Sequence, residues 1–212
     1  MPPHVPPMGT PRSGGTLTVG AVSGGNIETL NPAQATLNGD FVRMYNTYDG
    51  LFLVGNGGLQ PGLATSAEPN ADATVWTLKV RPGVHWHDGK PFTADDVVYT
   101  IKSWTRPNSY FAGIAAALID PAKVRKRGPL TVEVGLTRPI ADFPSVTSSP
   151  NAYVIQDGTR KFDHPIGTGA FRFESFVAGK SSTHTRNLEH WRGAPHVDSS
   201  SWTRASPTTR HA

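Results

Sequence analysis

Between Val75 and Val97 the sequence spells a strand, a turn and a helix in succession, and no other stretch restricts the fold as much. Trp76, Leu78 and Val80 alternate with Val75, Thr77 and Lys79, the period-2 pattern of a half-buried strand. Arg81-Pro82-Gly83 turns the chain. Val84 and Trp86 then extend the buried side, and His85 and His87 the wet side, up to an Asp88-Gly89 turn. Thr93-Ala94-Asp95-Asp96 is a capping box: the hydroxyl accepts from a first-turn N–H, and the Asp three residues on reaches back to the Thr93 N–H. A helix follows, with Val97, Ile101 and Trp104 on one face. A period-2 run feeding a helical run predicts a mixed α/β chain.

Elsewhere the 22 glycines and 19 prolines among 212 residues keep the elements short. That content stays below the roughly 25–30% that marks low complexity. A strand is predicted at Leu17–Val19, and a helix capped by Asn38 or Asp40 runs to about Tyr48, with Phe41, Met44, Tyr45 and Tyr48 on one face. Leu51–Val54 is a strand entering a Gly55-Asn56-Gly57-Gly58 hairpin turn. Further along, a short helix is expected at Tyr110–Leu118, a strand at Leu130–Leu136, a helical turn within Ala141–Ser148 and a strand at Tyr153–Gln156. A hairpin pairs the strand of Phe171 and Phe173 with Ser182–Asn187. Residues 1–13 hold five prolines and read as a disordered leader. Residues 199–212, half of them Ser or Thr, read as a disordered tail.

The chain has no cysteine, which excludes disulfides, thiolate metal sites and a thiol nucleophile. Its longest apolar run, Phe111–Ile119, is far short of the roughly 18–20 residues of a membrane span, so no transmembrane segment is expected. The leader lacks an apolar core, so no signal peptide is read in it. Net charge is +4, and the only dense basic cluster, Lys123, Arg125, Lys126 and Arg127, has no nucleic-acid motif beside it; it reads as a strand edge or solvated loop. His85 and His87 share one strand face and are the most metal-like pair, though no third ligand has a recognisable spacing. The glycines after Leu17–Val19 lack dinucleotide spacing, and no G-x-S-x-G elbow occurs.

Three separated groups of motifs resemble one family. Gly14-Gly15-Thr16-Leu17 is followed by Thr29-Leu30-Asn31-Pro32 and Tyr48-Asp49-Gly50-Leu51. Leu63-Ala64 precedes Trp76–Arg81 and the block Val84-His85-Trp86-His87-Asp88-Gly89-Lys90-Pro91-Phe92-Thr93-Ala94-Asp95-Asp96-Val97. Pro165-Ile166-Gly167-Thr168-Gly169-Ala170-Phe171 precedes Arg186-Asn187, Trp191 and Gly193-Ala194-Pro195. Over residues 14–198 the chain resembles the family 5 solute-binding proteins of ABC importers for dipeptides, oligopeptides and nickel. The resemblance implies a type II periplasmic-binding-protein-like α/β fold with a mixed sheet, in which two lobes clasp a solute. It places the first-lobe core at residues 14–35 and 150–198 and an inserted subdomain at 36–149. It assigns ligand contacts to Thr36, Leu37, Asn38 and Tyr110. It implies a peptide or other small solute and ABC permease subunits as partners, a periplasmic or extracytoplasmic location, no cofactor, no metal and no enzymatic activity. Members of the family are more than twice as long, so a first-lobe fragment with weak or no solute affinity is expected. The alternative is a metal-dependent hydrolase built on His85 and His87.

Overall fold

The computed structural model describes residues 11–21, 24–107 and 109–204. In chain order the elements are β1 (Thr16–Ala21), α1 (Asn38–Thr47), β2 (Phe52–Gly55), β3 (Gly58–Pro61), β4 (Ala64–Pro69), β5 (Val75–Val80), α2 (Ala94–Trp104) and α3 (Ala112–Leu118). They continue with β6 (Ile119–Gly128), β7 (Thr131–Leu136), α4 (Phe143–Val146), β8 (Phe171–Val177), β9 (Ser181–Arg186) and β10 (Ser199–Arg204). The strands form two four-stranded sheets, β4-β5-β7-β6 and β1-β10-β9-β8, and the β2–β3 hairpin. No helix among the described residues is long and apolar enough to cross a membrane.

The β4–β7 sheet is antiparallel throughout and follows from local pattern. Trp76, Leu78 and Val80 of β5 are buried with Val132 and Val134 of β7, and α2 lays Val97, Ile101 and Trp104 on them. The capping box forms as expected: Thr93 Oγ1 accepts from the Asp95 N–H at 3.3 Å, and Asp96 Oδ2 accepts from the Thr93 N–H at 2.8 Å. The basic cluster lies on edge strand β6, where its charges are met: Arg125 and Arg127 pair with Glu133, Lys126 with Asp95, and Lys123 with Asp120. Lysine and arginine on an edge discourage pairing with another chain.

The other sheet departs from the sequence reading. The expected disordered tail begins with β10, which sits between β1 (parallel) and β9 (antiparallel). Ser200 and Trp202 point inward and are buried, while Ser199 and Ser201 are less so. A central strand obtains its hydrogen bonds from both neighbours and so needs little apolar content of its own. Residues 205–212 of that tail and 1–10 of the leader lie outside the described residues. The domain boundary expected at 36 also moves. Helix α1 packs on β8 and β10: a Cβ at Gly39 would lie 3.1 Å from the Trp202 ring, and the Arg43 guanidinium stacks on Phe176 and Trp202. So α1 belongs with the β1/β8–β10 sheet, not with the inserted layer. The expected Tyr153–Gln156 strand reduces to one bridge, Gly50 to Tyr153. Its next residue, Val154, donates its N–H to the Asp49 carbonyl.

A candidate solute-binding face

The segment from Glu28 to Leu37 is tied down at nearly every residue. Asn31 Oδ1 accepts from the Ala33 N–H at 3.0 Å and caps a single 3-10 turn, Pro32–Gln34. The Asn151 side-chain amide donates to the carbonyls of Pro32 and Ala35, and the Tyr110 N–H donates to the Ala33 carbonyl at 2.8 Å. Behind the segment, the Asp40 carboxylate accepts from the N–H groups of Thr29, Thr36 and Leu37. Helix α1 therefore starts after Leu37, and Asp40 supplies only the reach-back half of a capping box.

Asp40 is itself held by Arg43 at 2.6 Å. Arg43 is wholly buried and also lies 3.4 Å from Glu28, whose carboxylate accepts from the N–H groups of Gly24 and Gly179. One cation and two carboxylates thus join the loop before the turn, helix α1 and the β8–β9 turn. Removing either sign leaves a buried charge uncompensated.

Three open hollows meet on this segment. One of about 400 Å³ is lined by Ile27, Thr29, Gln34, Thr36, Ser109 and Tyr110. A second, about 670 Å³, runs toward β8 and carries Asp163, His164 and Glu174. A third, about 250 Å³, carries Arg106 and Arg160. The first hollow has no ionised side chain in its lining, the second carries carboxylates and the third guanidiniums.

Of the residues assigned from the resemblance, Thr36 and Tyr110 come together in the central hollow, with Tyr110 two-thirds exposed. Leu37 and Asn38 do not line it. The Leu37 side chain occupies the space where a Cβ on Gly24 would stand, and Asn38 is exposed on the first turn of α1. The N–H groups of Thr36 and Leu37 point inward to Asp40 and are not offered to a solute. Gln34, Thr29 and Ser109 were missed by the sequence reading. The Asn31-Pro32 pair marked a turn but not which of its side chains would face outward.

The histidine pair is not a metal site. His87 is not on the wet side: burial pushes its pKa below the ordinary value. Its Nδ1 accepts from the Gly167 N–H and its Nε2 donates to the Gly169 carbonyl, so neither ring nitrogen is free. His85 is exposed. Among the described residues no group of three or more His, Cys, Asp or Glu could hold an ion. Beside His87, burial alone would raise the pKa of Asp49. The His190 ring 3.7 Å away, with hydrogen bonds from Trp191 and Thr168, outweighs it and holds the carboxyl below its ordinary value. Trp191 in turn lies between the guanidiniums of Arg81 and Arg192. This cluster bolts the Thr168 and Trp191 segments to the start of β2.

The turn presents neutral and charged side chains to open hollows and is a candidate binding face. Comparison with known proteins identifies the family. Residues 58–212 match the family described as "Bacterial extracellular solute-binding proteins, family 5 Middle". The Dipeptide-binding protein of Escherichia coli K12 is 30% identical over 208 residues, which cover 83% of this chain and 38% of that protein. The periplasmic oligopeptide-binding protein OppA of the same organism is 27% identical over 201 residues, covering 82% of this chain and 37% of OppA. Among solved structures, MoaA of A. tumefaciens R10, in complex with mannopinic acid, superposes with a TM-score of 0.79 at 30% identity, over 92% of this chain and 41% of MoaA. The chain belongs to the family 5 bacterial extracellular solute-binding proteins, the substrate-binding proteins of ABC transporters. It has their type II periplasmic-binding-protein fold and spans about two-fifths of the length of these relatives. Family 5 proteins bind solutes and are not enzymes.

Proposed function

We propose that this chain forms one wall of a solute site that works outside the cytoplasmic membrane and passes its cargo, short peptides first, to the permease of an ABC importer. The observation that carries this reading is the central hollow. Thr36 and Tyr110 come from distant parts of the chain, yet both face it, and the Tyr110–Ala33 hydrogen bond holds them in register. Two further observations support peptides as cargo. The relatives named above are a dipeptide-binding and an oligopeptide-binding protein. A peptide is also a zwitterion, and the two hollows that share Gln34 with this one carry carboxylates and guanidiniums.

Binding to this chain alone is weak. High-affinity sites bury some 70–90% of a ligand's surface, and an open wall leaves one side of the solute in water. The family's clasping mode supplies the missing contact by closing a second lobe. Chemical-shift mapping of the 15N-labelled chain with millimolar trialanine tests the location. Shifts confined to the amides of Thr29–Thr36 and Ser109–Tyr110 are expected. Shifts confined to the β4–β7 sheet would refute the reading.

A further inference from the structure

Gln34 differs from every other residue of the turn. Its backbone is fixed: its own N–H donates to the Asn31 carbonyl at 3.0 Å, the carbonyls on either side of it, of Ala33 and Ala35, are taken by Tyr110 and Asn151, and Asn31 caps the turn. Its side chain, in contrast, is exposed and makes no hydrogen bond within the protein. Among the described residues it is also the one that lines all three hollows. A held backbone carrying an unheld amide has already lost the entropy that binding would otherwise cost the main chain.

A primary amide presents one carbonyl acceptor and N–H donors in one plane. A peptide group presents the complementary acceptor and donor. We infer that Gln34 is the specificity-determining side chain of this face, and that it reads a main-chain peptide group of the solute. The inference rests on the solute-binding reading above. The residues of the central hollow fit it, because Thr29, Gln34, Thr36 and Ser109 offer hydrogen bonds and none is ionised, which suits the uncharged interior of a peptide and not its termini. A solute without a peptide group gains neither of these hydrogen bonds and leaves the amide to water.

The test uses the 15N-labelled chain, because the Gln34 side-chain NH2 gives its own resonance pair. Trialanine is the probe, with glycerol as a hydroxyl-bearing control without a peptide group. Trialanine is expected to shift the Gln34 side-chain pair together with the amides of Thr29–Thr36, and glycerol to leave the pair in place. Gln34→Ala and Gln34→Glu should each weaken trialanine binding about tenfold, the loss of one or two modest hydrogen bonds. Gln34→Glu keeps the size, removes the donor and adds a negative charge. Both variants should keep the resonances of the β4–β7 sheet unmoved, since the side chain holds nothing in the fold. If Thr36 and Tyr110 respond to trialanine while the Gln34 pair stays still and both variants bind like the parent, the inference fails and the solute-binding reading stands. If no residue of the three hollows responds, both fail.

Discussion

The β4–β7 sheet with α2 and the β1/β8–β10 sheet with α1 are both four strands under a helix, but they are held by opposite means. The first is dry: Trp76, Leu78, Val97, Ile101, Val132 and Val134 fill it, and Asp96 is buried at its edge, where it caps α2. In the second, Glu28, Asp40, Arg43, Ser182, His184 and Ser200 are buried together. A dry core tolerates what happens at its surface. A polar joint depends on its ion pairs staying matched and its buried histidine staying neutral. The solute face stands on the polar joint, because Asp40 holds the very N–H groups that shape the turn.

That contrast can be broken by substitution. Arg43→Ala should have the largest effect, about 3–5 kcal/mol, because it leaves Glu28 and Asp40 buried without their cation. Urea unfolding followed by tryptophan fluorescence measures it, and a loss below about 1 kcal/mol would mean the joint is not load-sharing in this way. Leu78→Ala in the dry layer should cost about 2–5 kcal/mol through the cavity it leaves, with no dependence on pH between 5 and 8.

The joint should be sensitive to acid. Burial, with the charges of Arg43 and His87 adding to it, pushes the His184 pKa down to about 4. The unfolded chain takes up this proton near pH 6.5, and the folded chain resists until about pH 4. Stability is therefore full above pH 6.5 and falls as the pH drops through that window, by at most about 3 kcal/mol. His87, shifted in the same direction, adds to the loss. Asp49 is shifted down as a carboxylate, so its stabilisation disappears only below the ordinary carboxylate pKa. The urea midpoint should be lower at pH 5 than at pH 7, and His184→Leu should flatten that difference; an equal slope in the variant would contradict the assignment. Smaller still, Thr93→Ala should cost about 1 kcal/mol through loss of the helix cap. Lys126→Ala, which removes an exposed ion pair, should stay within about 0.5 kcal/mol.

What the sequence reveals divides along the same line. The β5 strand and the Thr93–Asp96 cap are written in consecutive residues, so alternation and spacing suffice to find them. Strand β10 is not, because its four serines and threonines become a central strand only through β1 and β9, held by pairing rather than by apolar content of their own. The same holds for the packing of α1, where Gly39 and Arg43 meet Trp202 and Phe176 from the other end of the sequence. In the candidate site, Thr36 and Tyr110 came from resemblance and share a hollow. Gln34 carried no signal, since its distinction is a side chain left free on a turn that remote residues hold.

The affinity of this chain by itself is the most direct measure of whether it is one wall of a two-walled trap. Calorimetric titration with a library of di- to pentapeptides is expected to give dissociation constants in the millimolar range, as one-sided burial implies. A sub-micromolar constant for any of them would show a complete, enclosing site and contradict the account.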